Sequence, residues 1–476
     1  MISSNGLLML PILAALYLSL RSQQARLLLL LAAGAAALGA EVWMAEPAAR
    51  LKAALDLLLV IGLLAVCWIG CRLLPRASAH HHHHHRWLGA LIVLLVLPLL
   101  TYKRLLAGAA AWLLPNADAL AGLAPALGLS VMTFQAISYS VDSYRGQVPT
   151  RSWLHFGVYM SFFPHLAAGP ILKASDFVGQ LMQKRQVSQD DVRAGLWRIF
   201  KGLFKKLVLA DLIARAAVTP VFADPQAFSS LEILIATLAF TVQIYLDFSA
   251  YSDVVIGSAR LLGLQLPENF DRPYQARSIS EYWRRWHMSL SAWVGQYVYR
   301  PLGGNRVVRW KVYRNVMISI VLLALWHGLT PNFLLYGLLH GTAVCLNRWL
   351  REQPPWLAWV QRHPFAAPAL GWTLTFAFVV IARILFKTPT FEDAQTYWLS
   401  LVSSELSAWP RFGLAFWVCL GAGLVGCFMP ARWTAGVQHH FERLSPVLQG
   451  LLLAAVLMLG AWLSDGQALA FIYRQF

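Results

Sequence analysis

Long uncharged apolar stretches recur along the whole chain, from Gly6 to Ala470. A bilayer core about 30 Å thick takes about 20 apolar residues per helix, so stretches of this length predict transmembrane helices. Only 13% of the 476 residues are charged, whereas an ordinary soluble protein carries about one quarter. We therefore predict an all-α, polytopic membrane protein and exclude a soluble fold.

The spans follow one another without a clear linker, so residues 1–476 are predicted to form a single integral-membrane domain. N-terminal helices occupy residues 1–130, a central part with most of the polar motifs occupies 131–350, and C-terminal helices occupy 351–476. The first apolar stretch lacks a basic region before it and a clear cleavage site after it, so we interpret it as a span rather than a signal peptide.

Two basic amphipathic segments, 173–206 and 272–314, interrupt the apolar pattern. The first has eight basic and three acidic residues, and the second has nine and one, so together they supply most of the formal net charge of +17. Basic loops favour the cytoplasmic side, which is where we place both segments. This charge is explained by membrane orientation, and no nucleic acid partner is expected.

Placing both basic segments on the cytoplasmic side requires one apolar stretch not to cross the membrane. The candidate is 153–172, because Pro164 and Gly169-Pro170 interrupt helical hydrogen bonding. We predict a re-entrant hairpin there, about twelve crossing spans, and both chain ends outside the cytoplasm.

Cysteine and histidine usage does not indicate a metal site. The five cysteines lie in or beside apolar segments, which favours small packing residues over a disulfide framework or a zinc site. The six consecutive histidines at 80–85 have no other ligand cluster nearby in sequence, and we give them no functional weight.

Polar residues at membrane depth are costly, so each is a functional hypothesis. His327 lies in Leu325-Trp326-His327-Gly328, just before the break at Pro331-Asn332. A buried imidazole there would stay neutral and accept a proton, although a structural histidine bonded to a neighbouring helix fits equally well. His340 is about 220° around and about 20 Å along an unbroken helix from His327, so the two are not expected to share a metal.

Two further clusters carry charge. Glu281–Trp293 combines tryptophans with His287, Arg284 and Arg285, and Arg306 follows. A lipid-anchoring helix is one interpretation, and binding of an anionic cytosolic ligand through its phosphates is another. Asp247 and Asp253 lie near the inner end of a span, where we expect structural ion pairs with the arginines of segment 272–314.

Taken together, three ordered motifs resemble the membrane-bound O-acyltransferase family, in its bacterial branch that acetylates alginate and cellulose. More distantly, they resemble the membrane subunit of teichoic-acid D-alanylation. The resemblance covers about Phe134 to Phe476, and its motifs are Asp247-Phe248-Ser249-x-Tyr251-Ser252-Asp253, Tyr282-Trp283-Arg284-Arg285-Trp286-His287-x-Ser289-Leu290-Ser291 with Pro301-Leu302-Gly303-Gly304, and Leu325-Trp326-His327-Gly328. Relatives often carry an Arg-Asp pair where this chain has Val294-Gly295-Gln296, and a small or aromatic run where it has Thr330-Pro331-Asn332.

The resemblance implies about eleven to thirteen transmembrane helices around a central funnel, with re-entrant and interfacial helices. It assigns the catalytic role to His327 and a second polar role to His287. The acetyl donor is expected to be cytoplasmic acetyl-CoA, with its phosphates near Arg284, Arg285 and Arg306 and no tightly bound cofactor. The other motif residues are expected to build the pocket: Asp247, Asp253, Trp286, Trp326 and Asn332.

The resulting hypothesis is an O-acetyltransferase of the bacterial inner membrane that serves O-acetylation of an exopolysaccharide such as alginate or cellulose. His327 acts as general base, and His287 either bonds the thioester or orients the acceptor. The acceptor is a sugar hydroxyl or the serine of a periplasmic acetyltransferase subunit, and the resemblance favours the latter. Other expected partners are a polysaccharide synthase complex and membrane lipid.

Three alternatives stay open. Broken helices and buried histidines also occur in a transporter or flippase of a polysaccharide precursor. The same fold also serves D-alanyl or peptidoglycan acyl transfer, and a non-catalytic assembly scaffold is the third.

Overall fold

The computed structural model describes residues 4–20, 22–44, 50–73, 84–102, 128–166, 169–183, 186–405, 410–464 and 469. Within these ranges the chain is mostly helical and contains no β-strand, which confirms the predicted all-α class. Most of the histidine tract at 80–85 lies outside the described residues, as does the stretch 103–127.

The longer helices of the described ranges are numbered in chain order. They are α1 (Ser4–Ser19), α2 (Gln23–Met44), α3 (Arg50–Leu73), α4 (His84–Tyr102), α5 (Leu129–Tyr144), α6 (Trp153–Ser161), α7 (Ala174–Leu181), α8 (Gln189–Leu203), α9 (Ser230–Leu261), α10 (Ile279–Arg285), α11 (Met288–Val294), α12 (Arg309–His327), α13 (Pro331–Leu350), α14 (Pro354–Arg362), α15 (Ala366–Lys387), α16 (Phe391–Ser403), α17 (Leu414–Phe428), α18 (Ala431–Arg443) and α19 (Pro446–Leu463).

Wider and tighter helical turns connect these elements. After α8 the helical path continues through the π-helical segments Phe204–Ala210 and Ala214–Val218 and the short α-helical pieces Asp211–Ile213 and Thr219–Ala223. A third π-helical segment, Gly295–Tyr299, follows α11, and 3₁₀ turns occur at Phe163–His165, Pro225–Ala227 and Pro273–Gln275.

Several helices are suited to a membrane. By length and composition, five helices of the described ranges are able to cross a bilayer, and a sixth span is obtained if α17 and α18, which meet at a 108° bend, count as one. These helices support a polytopic membrane protein. The count of about twelve spans and the central funnel stay predictions.

The chain divides into two compact units, residues 1–195 with 255–267 and residues 196–254 with 268–476. In the first unit, α6 ends at Ser161 after nine residues, so it covers only about 14 Å. The helix therefore breaks within the segment predicted as a re-entrant hairpin, although the return to the cytoplasmic side stays a prediction. All five cysteines are free thiols, and Cys67 and Cys71 pack beside Ser140 in this unit.

The second unit contains every candidate site residue. Its α12 and α13 pack closely side by side, because a methyl group added at Gly337 would stand 2.9 Å from Ala324 Cβ. One turn later, a methyl group at Gly341 would stand 2.5 Å from Met317 Sδ. Later residues of α13 therefore contact earlier residues of α12, so the two helices form an antiparallel hairpin.

Candidate active site

His327 is the last residue of α12, at the tip of this hairpin. Pro331 begins α13, and Gly328 approaches Phe333 so closely that a methyl group there would stand 2.7 Å from its ring. The predicted break after the Trp-His-Gly motif is therefore confirmed. The His327 side chain is buried, with its ring centroid 4.6 Å from that of Trp326 and 4.9 Å from that of Phe386.

His287 lies in the short turn between α10 and α11. Ser278 caps α10 by accepting a hydrogen bond from the Glu281 amide, and the helix ends at Arg285, just before His287. His287 is buried, and its ring packs edge-on against Phe248 at 4.7 Å. Burial lowers the pKa of His287 to about 3, so the imidazole is neutral at physiological pH.

Trp326 connects the two histidines. Its ring centroid lies 6.3 Å from that of His287 and 4.6 Å from that of His327. Two imidazoles from different helical segments thus contact one indole in a largely dry, aromatic environment, where a proton acceptor is shielded from water.

An amide holds His287 from the opposite side. Asn269 Oδ1 lies 2.9 Å from His287 Nδ1 and accepts hydrogen bonds from the Ser289 hydroxyl and amide, while Asn269 Nδ2 donates to Ser252 Oγ. Asn269 is not among the predicted site residues, because it lies in a polar stretch, Glu268-Asn269-Phe270-Asp271, where no apolar context marks it.

A buried guanidinium is the second group of the site that was not predicted. Arg383 of α15 is 1% exposed, lies 4.3 Å above the Trp286 ring and donates a hydrogen bond to Tyr282 Oη. It also lies 5.5 Å from the centroid of Phe386, the ring that contacts His327. The sequence does contain a signal that marks Arg383 as a candidate site residue, since it is a cation near the end of an otherwise apolar stretch.

His340 lies apart from the His287–Trp326–His327 group, among aromatic side chains. Its ring is 4.3 Å from that of Tyr336 and 4.9 Å from that of Phe378. Neither ring nitrogen makes a hydrogen bond to the part of the chain that the structure describes. No group of three potential metal ligands occurs in these ranges either.

The three arginines proposed for the donor differ in their surroundings. Arg285 forms ion pairs with Glu281 at 2.8 Å and with Asp271 at 3.7 Å. Arg284 and Arg306 are exposed, and neither forms an ion pair with a described carboxylate. Two of the three arginines are therefore accessible from solvent, while Arg285 forms ion pairs within the protein.

The aspartates of the first motif are ion-paired as expected, but the expected partners are wrong. Asp247 Oδ1 lies 2.7 Å from Lys206 Nζ, which also contacts Asp211 at 2.8 Å. Asp253 contacts lysines and an arginine of the first basic segment: Arg198, Lys201 and Lys205. The cations come from 173–206 and not from 272–314, because the helical path from α8 runs alongside α9.

Asn332 has a structural position in the first turn of α13. Its Nδ2 donates to the carbonyl oxygens of Thr388 and Thr390, both at 2.9 Å. This contact ties the start of α13 to the turn after α15, and thereby fixes the hairpin tip that carries His327.

Comparison with known proteins identifies the family. A probable alginate O-acetylase of Azotobacter vinelandii is 36% identical over 280 residues, covering 58% of this chain and 54% of that protein. A peptidoglycan O-acetyltransferase of Helicobacter pylori is 33% identical over 296 residues (56% and 55%), and a teichoic acid D-alanyltransferase of Bacillus subtilis is 27% identical over 278 (56% and 69%). The chain spans about half the length of the alginate relatives that it matches. Residues 52–387, more than half of the sequence, match the family described as MBOAT, and the chain therefore belongs to the membrane-bound O-acyltransferase family.

Proposed function

We propose that this protein is a membrane O-acetyltransferase that transfers an acetyl group from cytoplasmic acetyl-CoA for O-acetylation of an exopolysaccharide. The observation that carries the proposal is the buried group of His287, Trp326 and His327. The alginate O-acetylases among its relatives support a polysaccharide of the alginate type, and cellulose is a further candidate.

His327 is the proposed general base. The acceptor oxygen bonds to the acetyl carbonyl carbon, its proton passes to His327, and the carbon–sulfur bond breaks. The CoA thiolate then leaves with that proton, so the products are an acetyl ester and free CoA. A positioned base contributes about 10²–10⁴-fold to such a step, and the aromatic walls limit thioester hydrolysis by excluding water.

The donor phosphates are proposed to bind Arg284 and Arg306, whose guanidinium groups are exposed. The acceptor is a sugar hydroxyl or, as we favour, the serine of a periplasmic acetyltransferase subunit working with a polysaccharide synthase. The proposed location is the bacterial inner membrane.

The test uses purified protein in detergent with acetyl-labelled acetyl-CoA, with and without candidate periplasmic partners. Wild type is expected to release free CoA and transfer label, and His327→Ala is expected to lose at least 10²-fold in rate. His363→Ala, an exposed histidine stacked on Trp359, is the matched control and should keep the wild-type rate.

Equal turnover in wild type and a folded His327→Ala protein would contradict the role of His327. A wild type that is inert with acetyl-CoA, even with the partner, would favour transport or another donor. The relatives named teichoic acid D-alanyltransferase make a D-alanyl thioester the donor to try next.

A further inference from the structure

The backbone at His287 is in an uncommon conformation. Its φ of 44° and ψ of 55° lie in the left-handed region, which is unfavourable for a residue with a Cβ. Such a conformation persists only where the surroundings hold it in place. Here Asn269 contacts three consecutive residues: its carbonyl accepts from the Met288 amide at 2.9 Å, and its side chain bonds His287 and Ser289.

These bonds determine which nitrogen of His287 carries the proton. The Ser289 backbone amide is only a donor, and it lies 3.4 Å from the same Asn269 atom that faces the imidazole. That atom is therefore the amide oxygen, an acceptor. The 2.9 Å contact with His287 Nδ1 is a hydrogen bond only if Nδ1 carries the proton.

We infer that Asn269 is a positioning residue that holds the proton of neutral His287 on Nδ1, so that Nε2 presents a lone pair to the reacting groups. This inference rests on the proposed acetyl transfer and assigns His287 to the acceptor rather than to the thioester donor. A thioester carbonyl only accepts hydrogen bonds, so the Nε2 lone pair does not bind it. A hydroxyl or an amide donates, so His287 binds and orients the acceptor through a donor group other than the reacting hydroxyl, whose single proton passes to His327.

The charge state of His287 is determined mainly by the groups that contact its ring. Its ring contacts include Asn269 in the loop before α10, Phe248 of α9 and Trp326 of α12. The ionisable groups of these elements have partners of their own or lie beyond a ring.

On α9, Asp247 and Asp253 are paired with lysines, and Asp253 also with Arg198. In the loop, Glu268 contacts Arg198, and Asp271 contacts Arg272 and Arg285. On α12, His327 packs against Trp326, the ring that also contacts His287, and on α15 Arg383 lies over Trp286. A charge introduced at position 269 would therefore act on His287 directly.

Asn269→Asp tests this assignment. A carboxylate accepts from Nδ1 as the amide does, but it also favours the imidazolium, which carries a proton on Nε2 as well. The acid limb of the pH–rate profile should move up by about one to three pH units, with transfer recovering above this shifted limb and the KM for acetyl-CoA unchanged. Asn269→Leu removes the acceptor, so its kcat should fall at every pH.

The control is Gln449→Ala, which removes another buried amide, one that donates to the Phe441 carbonyl. It should keep the wild-type pH profile. An unchanged acid limb in a folded Asn269→Asp protein would overturn the inference, since a purely structural amide leaves the profile in place.

Nitrogen NMR decides the proton position independently of activity. In ¹⁵N-histidine-labelled protein, the His287 signals are identified by their loss in His287→Gln. We expect a protonated Nδ1 and an unprotonated Nε2 in wild type at neutral pH, and on acidification Nε2 of Asn269→Asp should gain its proton about one to three pH units above the pH at which wild type does. A proton on Nε2 of wild type would overturn the inference even if transfer proceeds, and the expected spectrum without any transfer would uphold it while the proposed function fails.

Discussion

The close approach of α12 and α13 makes Gly337 sensitive to a single methyl group. In Gly337→Ala the new carbon would stand 2.9 Å from Ala324 Cβ and 3.0 Å from Val321 Cα. Carbon atoms pack best at about 3.5–4.0 Å, so the helices must separate by roughly 0.5–1 Å. Overpacking of this kind costs about 1–3 kcal/mol, against about 1 kcal/mol gained from the higher helix propensity of alanine.

Gly436 provides the matched control. It also lies inside a helix, α18, but no atom stands within 4 Å of the added methyl group. Gly436→Ala should therefore gain about 1 kcal/mol from propensity alone. Because that term is common to both variants, their difference of about 1–3 kcal/mol isolates the helix contact.

Equilibrium unfolding by SDS titration in mixed micelles measures both variants against wild type. Gly337→Ala should be less stable than Gly436→Ala and should release CoA more slowly, because its displacement reaches the hairpin tip at His327. Equal free energies of unfolding for the two variants would refute the close packing of α12 on α13.

Three further predictions use the same titration. Lys206→Met should lower stability by about 3–5 kcal/mol, because Asp247 and Asp211 stay buried without their ammonium partner. His340→Phe should raise stability by about 1–3 kcal/mol at an unchanged rate of CoA release, because it removes a buried ring whose nitrogens make no hydrogen bond to described residues. The contribution of His287 to the free energy of unfolding should be complete above pH 6.5. As the pH drops from 6.5 toward 3, this contribution should fall by about 1.4 kcal/mol per pH unit, because the unfolded chain binds a proton there that the buried imidazole does not bind. His287→Gln should lose this slope.

A loss under 1 kcal/mol in Lys206→Met would indicate a hydrated pair rather than a buried one. Loss of CoA release in a stable His340→Phe protein would give His340 a part in the reaction. An identical pH slope in wild type and His287→Gln would assign the proton uptake to another group.

The helical class was predictable because apolar run length alone implies membrane helices. The break after His327 was equally predictable, since Pro331 lacks an amide proton and cannot continue the helix. Hydropathy does not report a neighbour in space, however. The pairing of Asp247 with Lys206 depends on how two segments lie side by side, and nearby arginines in the sequence pointed to the wrong one.

The site was predictable only in its imidazoles and motif tryptophans. His327, His287 and Trp326 stand out because polar and aromatic residues are conspicuous beside apolar stretches. Asn269 acts through a hydrogen bond across a turn, and nothing in its own neighbourhood marks such a bond. Arg383 is the intermediate case, a visible charge whose partners, Trp286 and Tyr282, appear only in three dimensions.

The ion pair between Lys206 and Asp247 has a consequence for how the chain enters the bilayer. A charge alone at the centre of a membrane helix costs about 2.5–3.5 kcal/mol during insertion, and Lys206 and Asp247 join segments that are 41 residues apart in order of synthesis. Lys206 leaves the ribosome first and is soon followed by Asp211, its other partner, so Asp247 is the charge that enters with α9 before its ion pair has formed. The segment Phe204–Ala210 is therefore expected to stay beside the translocation machinery until α9 emerges, so that Asp247 does not meet lipid alone.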